Sequence, residues 1–271
     1  MQMAELRITQ INIYPIKSTA RISLSASRVL QAGLELDRRW LLVRPDGEAI
    51  TAREYPLLTL VRTKLDDDAL VVAAAGMPEL RIRYQQETGA LRAVRIWGEE
   101  CTAGTVGAQA ERWFSDYLHE ACELVRMSDT HPRPVDPDYA RPGDYVSFAD
   151  AFPLLLISEA SLADLNKRVP HRVSMRRFRP NLVVNGEQPY AEDHWKKIRI
   201  GTVVFDGVKN CSRCVFTTID PETGTKDSDL QPLRTLGSYR RRPGGGVFFG
   251  QNLIPRTGGT VQLNDAVEIL A

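Results

Sequence analysis

The sequence has no long hydrophobic run and almost no net charge. Its apolar stretches fall far short of the roughly 20 residues that a membrane-spanning helix needs. The first residues show no basic stretch followed by an apolar one, as a signal peptide would. The 271 residues carry a formal net charge of +1, so bulk charge does not attract the chain to nucleic acid or membranes. We therefore expect a cytoplasmic protein that binds neither nucleic acid nor a membrane.

Cysteine is scarce as well, with four in the whole chain. Without an export signal, so few cysteines do not indicate a disulfide framework. The close pair Cys211 and Cys214 is more typical of catalysis, metal binding or redox chemistry. With 43% hydrophobic and 25% charged residues, the composition is that of an ordinary globular protein. The length allows one large domain or two smaller ones.

Short apolar, β-branched runs separated by turn signals make up most of the sequence. They favour a mainly β fold with some α, arranged as an antiparallel barrel or sandwich. Asp46-Gly47 is a hairpin signal. We predict a β-rich N-terminal domain (1–110) packed on a larger β-barrel domain (111–271). The predicted strands are 11–14, 40–43, 57–61, 69–73, 80–84, 154–157, 181–184, 198–200, 203–205, 215–219, 247–249, 261–263 and 267–270.

Three further segments interrupt the strand pattern. Helical spacing begins at Val106, and Ser158 can cap a second helix that Pro170 ends. Between them, 132–142 contains four prolines, which excludes regular structure and predicts a long loop. Such a loop either borders a site or is a plain surface excursion.

The two cysteines lie at C-x-x-C spacing, and Arg213 directly precedes the second. A guanidinium beside a thiol favours the thiolate, the form that attacks or binds metal. Three alternatives stay open: ordinary cysteines in a turn, a thioredoxin-like dithiol, and a zinc site. The dithiol requires a helix after Cys214, where we predict a strand. Zinc requires two more ligands, for which His119 and Cys122 are the candidates.

Arginines cluster without acids in two segments, 171–181 and 240–242. Their forked guanidinium groups suit a phosphate or another oxyanion, although solvated surface is the ordinary place for arginine. Arg179 precedes a predicted buried strand, so it can point into the barrel. Lys17 and Ser18 follow a proline at the end of a strand, which is a weaker signal.

Seven short segments are informative in combination and in their order along the chain. They are Tyr14-Pro15-Ile16-Lys17-Ser18, Asp37-Arg38-Arg39-Trp40, Ile50-Thr51-Ala52-Arg53, Ser158-Glu159-Ala160-Ser161-Leu162, Phe178-Arg179-Pro180-Asn181-Leu182, Cys211-Ser212-Arg213-Cys214 and Phe249-Gly250-Gln251-Asn252. Together they resemble the YcbX-like branch of the MOSC-domain family, which includes the mitochondrial amidoxime-reducing component of animals. The resemblance covers nearly the whole chain. It implies a β-rich MOSC N-terminal domain packed on a MOSC β-barrel, and a molybdenum cofactor in which a molybdopterin carries the metal.

The resemblance also implies a role for each matching position. Cys214 would be the catalytic residue and the molybdenum ligand. Ala151 and Phe152 would contribute mainly backbone contacts, and Asn252 stands where some relatives have tyrosine. The implied cofactor-binding residues are Lys17, Ser18, Arg38, Ala151, Phe152, Arg179, Asn181, Ser212, Arg213 and Asn252.

Enzymes of this branch reduce N-hydroxylated compounds, so the resemblance implies a molybdenum-dependent N-hydroxyl or N-oxide reductase. Its small-molecule substrates would be hydroxylamines, amidoximes or N-hydroxylated base analogues. Longer members add a ferredoxin-like domain, whose C-x4-C-x2-C motif this sequence lacks. Unless the chain is a shortened form, we expect electrons from a separate carrier, either a ferredoxin-like protein or a flavin reductase.

Two other functions stay open. One is a cofactor carrier or sulfur-transfer protein with a persulfide on Cys214, and the other is a non-enzymatic anion-binding barrel. The resemblance also leaves pyridoxal phosphate binding open.

Overall fold

Strands dominate the structure, so the predicted class, mainly β with some α, is confirmed. The computed structural model describes residues 5–84, 90–243 and 245–271. Within these ranges the strands are β1 (Ile8–Ile13), β2 (Ile22–Leu24), β3 (Ala26–Leu30), β4 (Gly33–Leu34), β5 (Trp40–Val43), β6 (Ala49–Ile50), β7 (Arg62–Leu65), β8 (Ala69–Ala73), β9 (Leu80–Arg83), β10 (Leu91–Ile96), β11 (Glu99–Thr105), β12 (Glu123–Met127), β13 (Arg133–Pro134), β14 (Tyr145–Val146), β15 (Leu154–Ser158), β16 (Leu182–Val184), β17 (Lys197–Ile200), β18 (Val203–Arg213), β19 (Val247–Pro255), β20 (Gly259–Gln262) and β21 (Val267–Ile269).

Helices are short by comparison. The described α-helices are α1 (Ala108–Leu118), α2 (Glu159–Asn166) and α3 (Leu233–Tyr239). The 3-10 helices are Pro56–Leu60, Met175–Phe178, Ala191–His194 and Val215–Thr218. No helix within the described ranges is both long and apolar enough to cross a bilayer. Residues 1–4, on which the prediction of no signal peptide partly depends, lie outside the described residues.

An eight-stranded sheet forms the larger part of the fold, in the order β2-β1-β16-β15-β19-β18-β17-β21. All of its pairings are antiparallel except that of β15 with β16. Its inner face buries aliphatic and aromatic side chains, among them Ile11, Leu156, Phe205 and Leu253. Burial of such side chains is the main favourable term in folding.

A five-stranded sheet, β10-β11-β12-β5-β6, forms the second layer, and α1 packs against it. Strand β1 belongs to the large sheet, whereas β12, which follows α1 in the chain, belongs to this smaller one. The two parts therefore exchange strands along the sequence. The domain division at residues 110 and 111 stays a prediction.

Local signals explain most of the agreement with the sequence. The strands predicted at 40–43 and 69–73 are confirmed as β5 and β8, and the Asp46-Gly47 turn joins β5 to β6. Ser158 caps α2 as predicted, since its Oγ accepts a hydrogen bond from the Ser161 amide at 3.1 Å. The helix ends at Asn166, before Pro170, because the Asn166 side chain pairs with the backbone of Val173.

Two local predictions away from Cys214 are wrong. The strand predicted at 57–61 is a 3-10 helix, Pro56–Leu60, because proline at the first helical position fixes φ and lacks an amide that would need a partner. The proline-rich segment does contain regular structure, the two-residue strand β13 paired with β14. Its Pro134 lies in a short two-stranded sheet, where proline is tolerated.

Candidate functional site

A cavity of about 120 Å³ lies between strands β15, β18 and β19 of the large sheet and loop residues such as Arg38, Thr51 and Trp97. Four of its lining residues, Ser18, Arg38, Trp97 and Arg179, have positive φ, a region that side chains other than glycine adopt rarely. Strained backbone of this kind is concentrated at functional sites. All eleven predicted site residues line this cavity: Lys17, Ser18, Arg38, Ala151, Phe152, Arg179, Asn181, Ser212, Arg213, Cys214 and Asn252.

Arg38 is held rigidly in the cavity wall. Its Nη1 donates to Asp37 Oδ2 at 2.6 Å and to Asn181 Oδ1 at 3.0 Å, while its Nη2 donates to the Arg179 carbonyl at 3.2 Å. Asp37 is fully buried, and its other oxygen accepts the Tyr14 amide at 2.8 Å. The guanidinium is therefore oriented before any ligand arrives, which lowers the entropic cost of binding.

Arg179 lies beside it and has no carboxylate partner in the part of the chain that the structure describes. Its Nη1 donates to the Thr19 carbonyl at 2.7 Å, and its guanidinium stacks 4.0 Å from the Tyr14 ring centroid. Burial lowers the pKa of Arg179 to about 10, and the neighbouring Arg38 charge acts in the same direction. The protein thus holds a guanidinium in a place where positive charge is already in excess.

This excess extends around the cavity. Of the four guanidinium groups that line it, those of Arg38, Arg53, Arg179 and Arg213, only Arg38 forms an ion pair among the described residues. Arg213 Nε is buried and has no hydrogen-bond partner in the described structure. A buried donor left unpaired is costly, so it marks a position for an acceptor. The wall suits an anionic group such as a phosphate.

Lys17 contributes less free charge than its sequence position indicates. The buried ammonium donates to the Phe148 carbonyl at 2.7 Å and to Asp150 Oδ1 at 2.5 Å, which leaves one of its three N–H donors. Burial lowers the pKa of Lys17, against the effect of Asp150. Burial alone would raise the pKa of Asp150, but the Lys17 ammonium holds it below its usual value. Asp150 is therefore a carboxylate at neutral pH.

Cys214 stands at the end of β18, immediately before the 3-10 helix Val215–Thr218, and its half-buried side chain lines the cavity. Within the described part of the chain its sulfur forms no hydrogen bond. The adjacent arginine does not serve it: Arg213 Nη1 donates to Cys211 Sγ at 3.0 Å and Nη2 to the Phe178 carbonyl at 2.7 Å. Arg213 was expected to support a thiolate at Cys214, and this expectation is wrong because Arg213 contacts the sulfur of Cys211 instead. Side chains two residues apart on a strand share a face, so Arg213 reaches Cys211.

Burial raises the pKa of the Cys211 thiol, although the Arg213 guanidinium opposes that rise. The two sulfurs are thus in different surroundings. Cys211 packs partly against apolar core and accepts a hydrogen bond, whereas Cys214 keeps its sulfur free for another ligand.

The prediction of a strand at 215–219 is wrong, because Val215–Thr218 form a 3-10 helix. The Thr217 and Thr218 hydroxyls donate back to the carbonyls of Cys214 and Val215, at 3.0 and 2.7 Å, and such local bonds compete with strand pairing. The helix is a single 3-10 turn, unlike the α-helix that a thioredoxin-like dithiol requires. In the described ranges no group of three His, Cys, Asp or Glu side chains could hold a metal, so His119 and Cys122 do not complete a zinc site.

Among the cavity residues that sequence reasoning missed are Arg53, Trp97 and Asp150. Arg53 ends one of the seven matching segments, and Asp150 directly precedes Ala151, so both had a signal that was passed over. Trp97 had none, because a tryptophan before a glycine is not a recognised turn signal.

Comparison with known proteins gives matches over most of the chain. Residues 5–121 match the family described as "MOSC N-terminal beta barrel domain" and residues 143–268 match the "MOSC domain". The human protein named mitochondrial amidoxime-reducing component 1 is 35% identical over 97% of this chain and 82% of its own length. The bovine mitochondrial amidoxime reducing component 2 is 36% identical over 86% of this chain and 72% of its own. A rice molybdenum cofactor sulfurase is 31% identical over 92% of this chain and 32% of its own.

Proposed function

The chain belongs to the MOSC-domain family, alongside the amidoxime-reducing components, and from that premise we propose that it is a molybdenum-cofactor-dependent reductase of N-hydroxylated compounds. One observation carries the proposal. Among the described residues, the sulfur of Cys214 is unpaired and lies in the same cavity as three guanidinium groups that lack carboxylate partners.

The residues present fit the cofactor that this family implies. A thiolate is a soft ligand that suits molybdenum, and the orphaned Arg213 Nε with the guanidinium of Arg179 suits the phosphate of its pterin. Cys214 would hold the metal. The other predicted contacts would fix the pterin: Lys17, Ser18, Arg38, Ala151, Phe152, Asn181, Ser212 and Asn252. When bound, the cofactor would supply the two-electron chemistry that removes oxygen from an N–OH group.

The chain's own share of the reaction is to bind, orient and supply fixed charge. The reduction consumes two electrons and two protons and yields the amine or amidine and water. Asp150, kept ionised by Lys17, accepts hydrogen bonds from the N–H groups of a substrate at the cavity mouth. A separate electron-transfer protein, ferredoxin-like or a flavin reductase, would deliver the electrons. That identity, the cytoplasmic location and any binding of pyridoxal phosphate stay predictions.

The test compares two cysteine variants of the protein isolated with its cofactor. We expect Cys214→Ser to lose nearly all molybdenum and all reduction of benzamidoxime, because the metal loses its protein ligand. Cys211→Ser is the matched control: a serine hydroxyl still accepts the Arg213 hydrogen bond, so most activity and metal remain. Molybdenum per chain, pterin fluorescence and turnover are measured on the same samples. Equal loss in the two variants would favour a dithiol mechanism instead.

A second candidate is a cofactor carrier or sulfur-transfer protein that holds a persulfide on Cys214. The similarity to the rice molybdenum cofactor sulfurase favours it. Elemental analysis separates the two candidates. Molybdenum near one per chain supports the reductase, whereas cyanide-labile sulfur without metal supports the carrier.

A further inference from the structure

Trp97 occupies a backbone position that does not suit tryptophan. It is the first residue of the two-residue turn between β10 and β11, whose last pair is Ile96 with Glu99. Trp97 and Gly98 have φ of 55° and 84°, the pattern of a type I′ turn. Asparagine or aspartate is favoured at the first position of that turn, since large side chains are strained in the left-handed region. Strain that persists in a fold points to a function for the residue that causes it.

The indole is also unusually exposed for tryptophan. Trp97 keeps 46% of its surface accessible and lines the cavity, while Trp40, Trp113 and Trp195 are buried. Its Nε1 donates to Asp150 Oδ1 at 3.2 Å, which fixes the ring at the cavity mouth. The hairpin therefore presents an aromatic face to whatever enters the cavity.

Arg53 shows what kind of group that face accepts. Its guanidinium carbon lies 3.8 Å from the indole centroid, and within the described ranges it forms no ion pair. Asp150 is close enough for the Arg53 charge to lower its pKa, after the larger effects of burial and Lys17. A planar, delocalised cation thus already stacks on Trp97 beside a carboxylate. An amidine has the same planar N–C–N unit and takes up the same two interactions.

We propose that Trp97 is a specificity-determining residue that selects planar, conjugated N-hydroxylated substrates, such as amidoximes and N-hydroxylated bases, over saturated hydroxylamines. The inference rests on the proposed reductase function and adds the substrate class. Flat substrates take the place of the Arg53 guanidinium on the indole, with their nitrogen atoms towards Asp150. Saturated substrates gain neither the stacking nor the fixed orientation.

The first test measures the selectivity of the holoenzyme with benzamidoxime and N-cyclohexylhydroxylamine. We expect Trp97→Ala to raise KM for benzamidoxime about fivefold or more, as the loss of one aromatic pair does, and to leave kcat nearly unchanged. Constants for the saturated substrate stay within about twofold, and Trp97→Phe keeps most of the preference. Leu91→Ala, exposed on the same hairpin but outside the cavity, is the control. An equal change for both substrates, or none, would overturn the proposal.

A second test does not depend on turnover. Because Trp97 is the exposed tryptophan of the described residues, benzamidine should change the tryptophan fluorescence of the protein as isolated, with or without metal, in a saturable way, and cyclohexylamine should not. Trp97→Phe removes this change. A benzamidine signal that persists in Trp97→Phe contradicts the assigned stacking face.

Trp97→Asn separates recognition from folding. Asparagine suits the left-handed turn, so the urea midpoint should equal or exceed that of the natural protein while the substrate preference disappears. A midpoint that falls together with the preference would make the indole a structural element and overturn the proposal. If the natural protein holds no molybdenum and reduces neither substrate, the proposed function fails, and the benzamidine titration still decides the role of Trp97.

Discussion

Replacing Arg179 by alanine should remove cofactor binding while leaving the fold nearly as stable as before. The reason lies in two opposed effects. Burial lowers the pKa of Arg179 from the usual arginine value to about 10, which corresponds to about 3 kcal/mol against its charged form. The hydrogen bond to the Thr19 carbonyl and the stacking on Tyr14 contribute roughly 2–4 kcal/mol in the other direction. The free energy of unfolding of the cofactor-free protein should therefore change by no more than about 1 kcal/mol.

Binding of an anion should respond quite differently. In the natural protein the guanidinium has no carboxylate to release, so its full charge is available to a phosphate. Loss of one charge-assisted contact of this kind costs about 1.5–3 kcal/mol, a tenfold or greater fall in affinity. We expect Arg179→Ala to emerge from gel filtration with far less molybdenum and pterin per chain than the natural protein.

Arg177→Ala provides the matched control. It lies in the 3-10 helix Met175–Phe178, which Arg179 directly follows. It pairs with Asp220 at 2.9 Å and donates to the Thr218 carbonyl, but it does not line the cavity. This variant should lose about 1–2 kcal/mol of stability and keep its cofactor. Urea unfolding of cofactor-free protein and metal analysis of isolated protein measure the two quantities. The reasoning is refuted if Arg179→Ala retains normal pterin, or if it loses more than about 3 kcal/mol in the cofactor-free state.

Two further predictions concern buried charge. Asp37→Asn should lower the free energy of unfolding by about 3 kcal/mol, because it leaves Arg38 without its carboxylate and places an amide N–H against the guanidinium. Urea unfolding measures this loss, and a loss below about 1 kcal/mol would contradict the prediction. Asp150 has a lowered pKa, so its pair with Lys17 stabilises the fold above about pH 4 and loses that effect as the pH falls further. Since 63% of the Asp150 side chain is exposed, Asp150→Asn should cost under about 1 kcal/mol of stability at pH 7. Thermal unfolding should show that this difference between the variant and the natural protein becomes smaller in acid. A difference that grows in acid would refute the prediction.

Patterning predicted individual strands well and their assembly poorly. The runs that became β5 and β8 are apolar throughout and include tryptophan or valine, which favour strands, so pattern and burial agree there. The segment after Cys214 looks equally apolar, but its threonines bond to their own backbone, and periodicity does not report such bonds. The proximity of Lys17 to Asp150, 133 positions later, has no local signal at all.

The candidate site came from the resemblance. Eleven positions spread from Lys17 to Asn252 line one cavity, and no spacing rule connects them. Alternation along β18 would have assigned Arg213 to Cys211 from the sequence alone, since the two are separated by one residue. Sequence rules for turns did not identify Trp97, because tryptophan is not a residue that they favour at the first position of a two-residue turn.

The strand order of the large sheet determines at which stage of synthesis and folding this cavity becomes complete. Among the described residues, β1 pairs in that sheet with β2 and β16. β1 therefore cannot gain its second neighbouring strand until residues near 182 have been synthesised. Pairings between such distant segments form slowly, because a long loop must close first. Asn252 on β19, which also lines the cavity, is made about 70 residues after β16 begins. A prosthetic group therefore meets the complete cavity only after the segment that contains β19 has been synthesised.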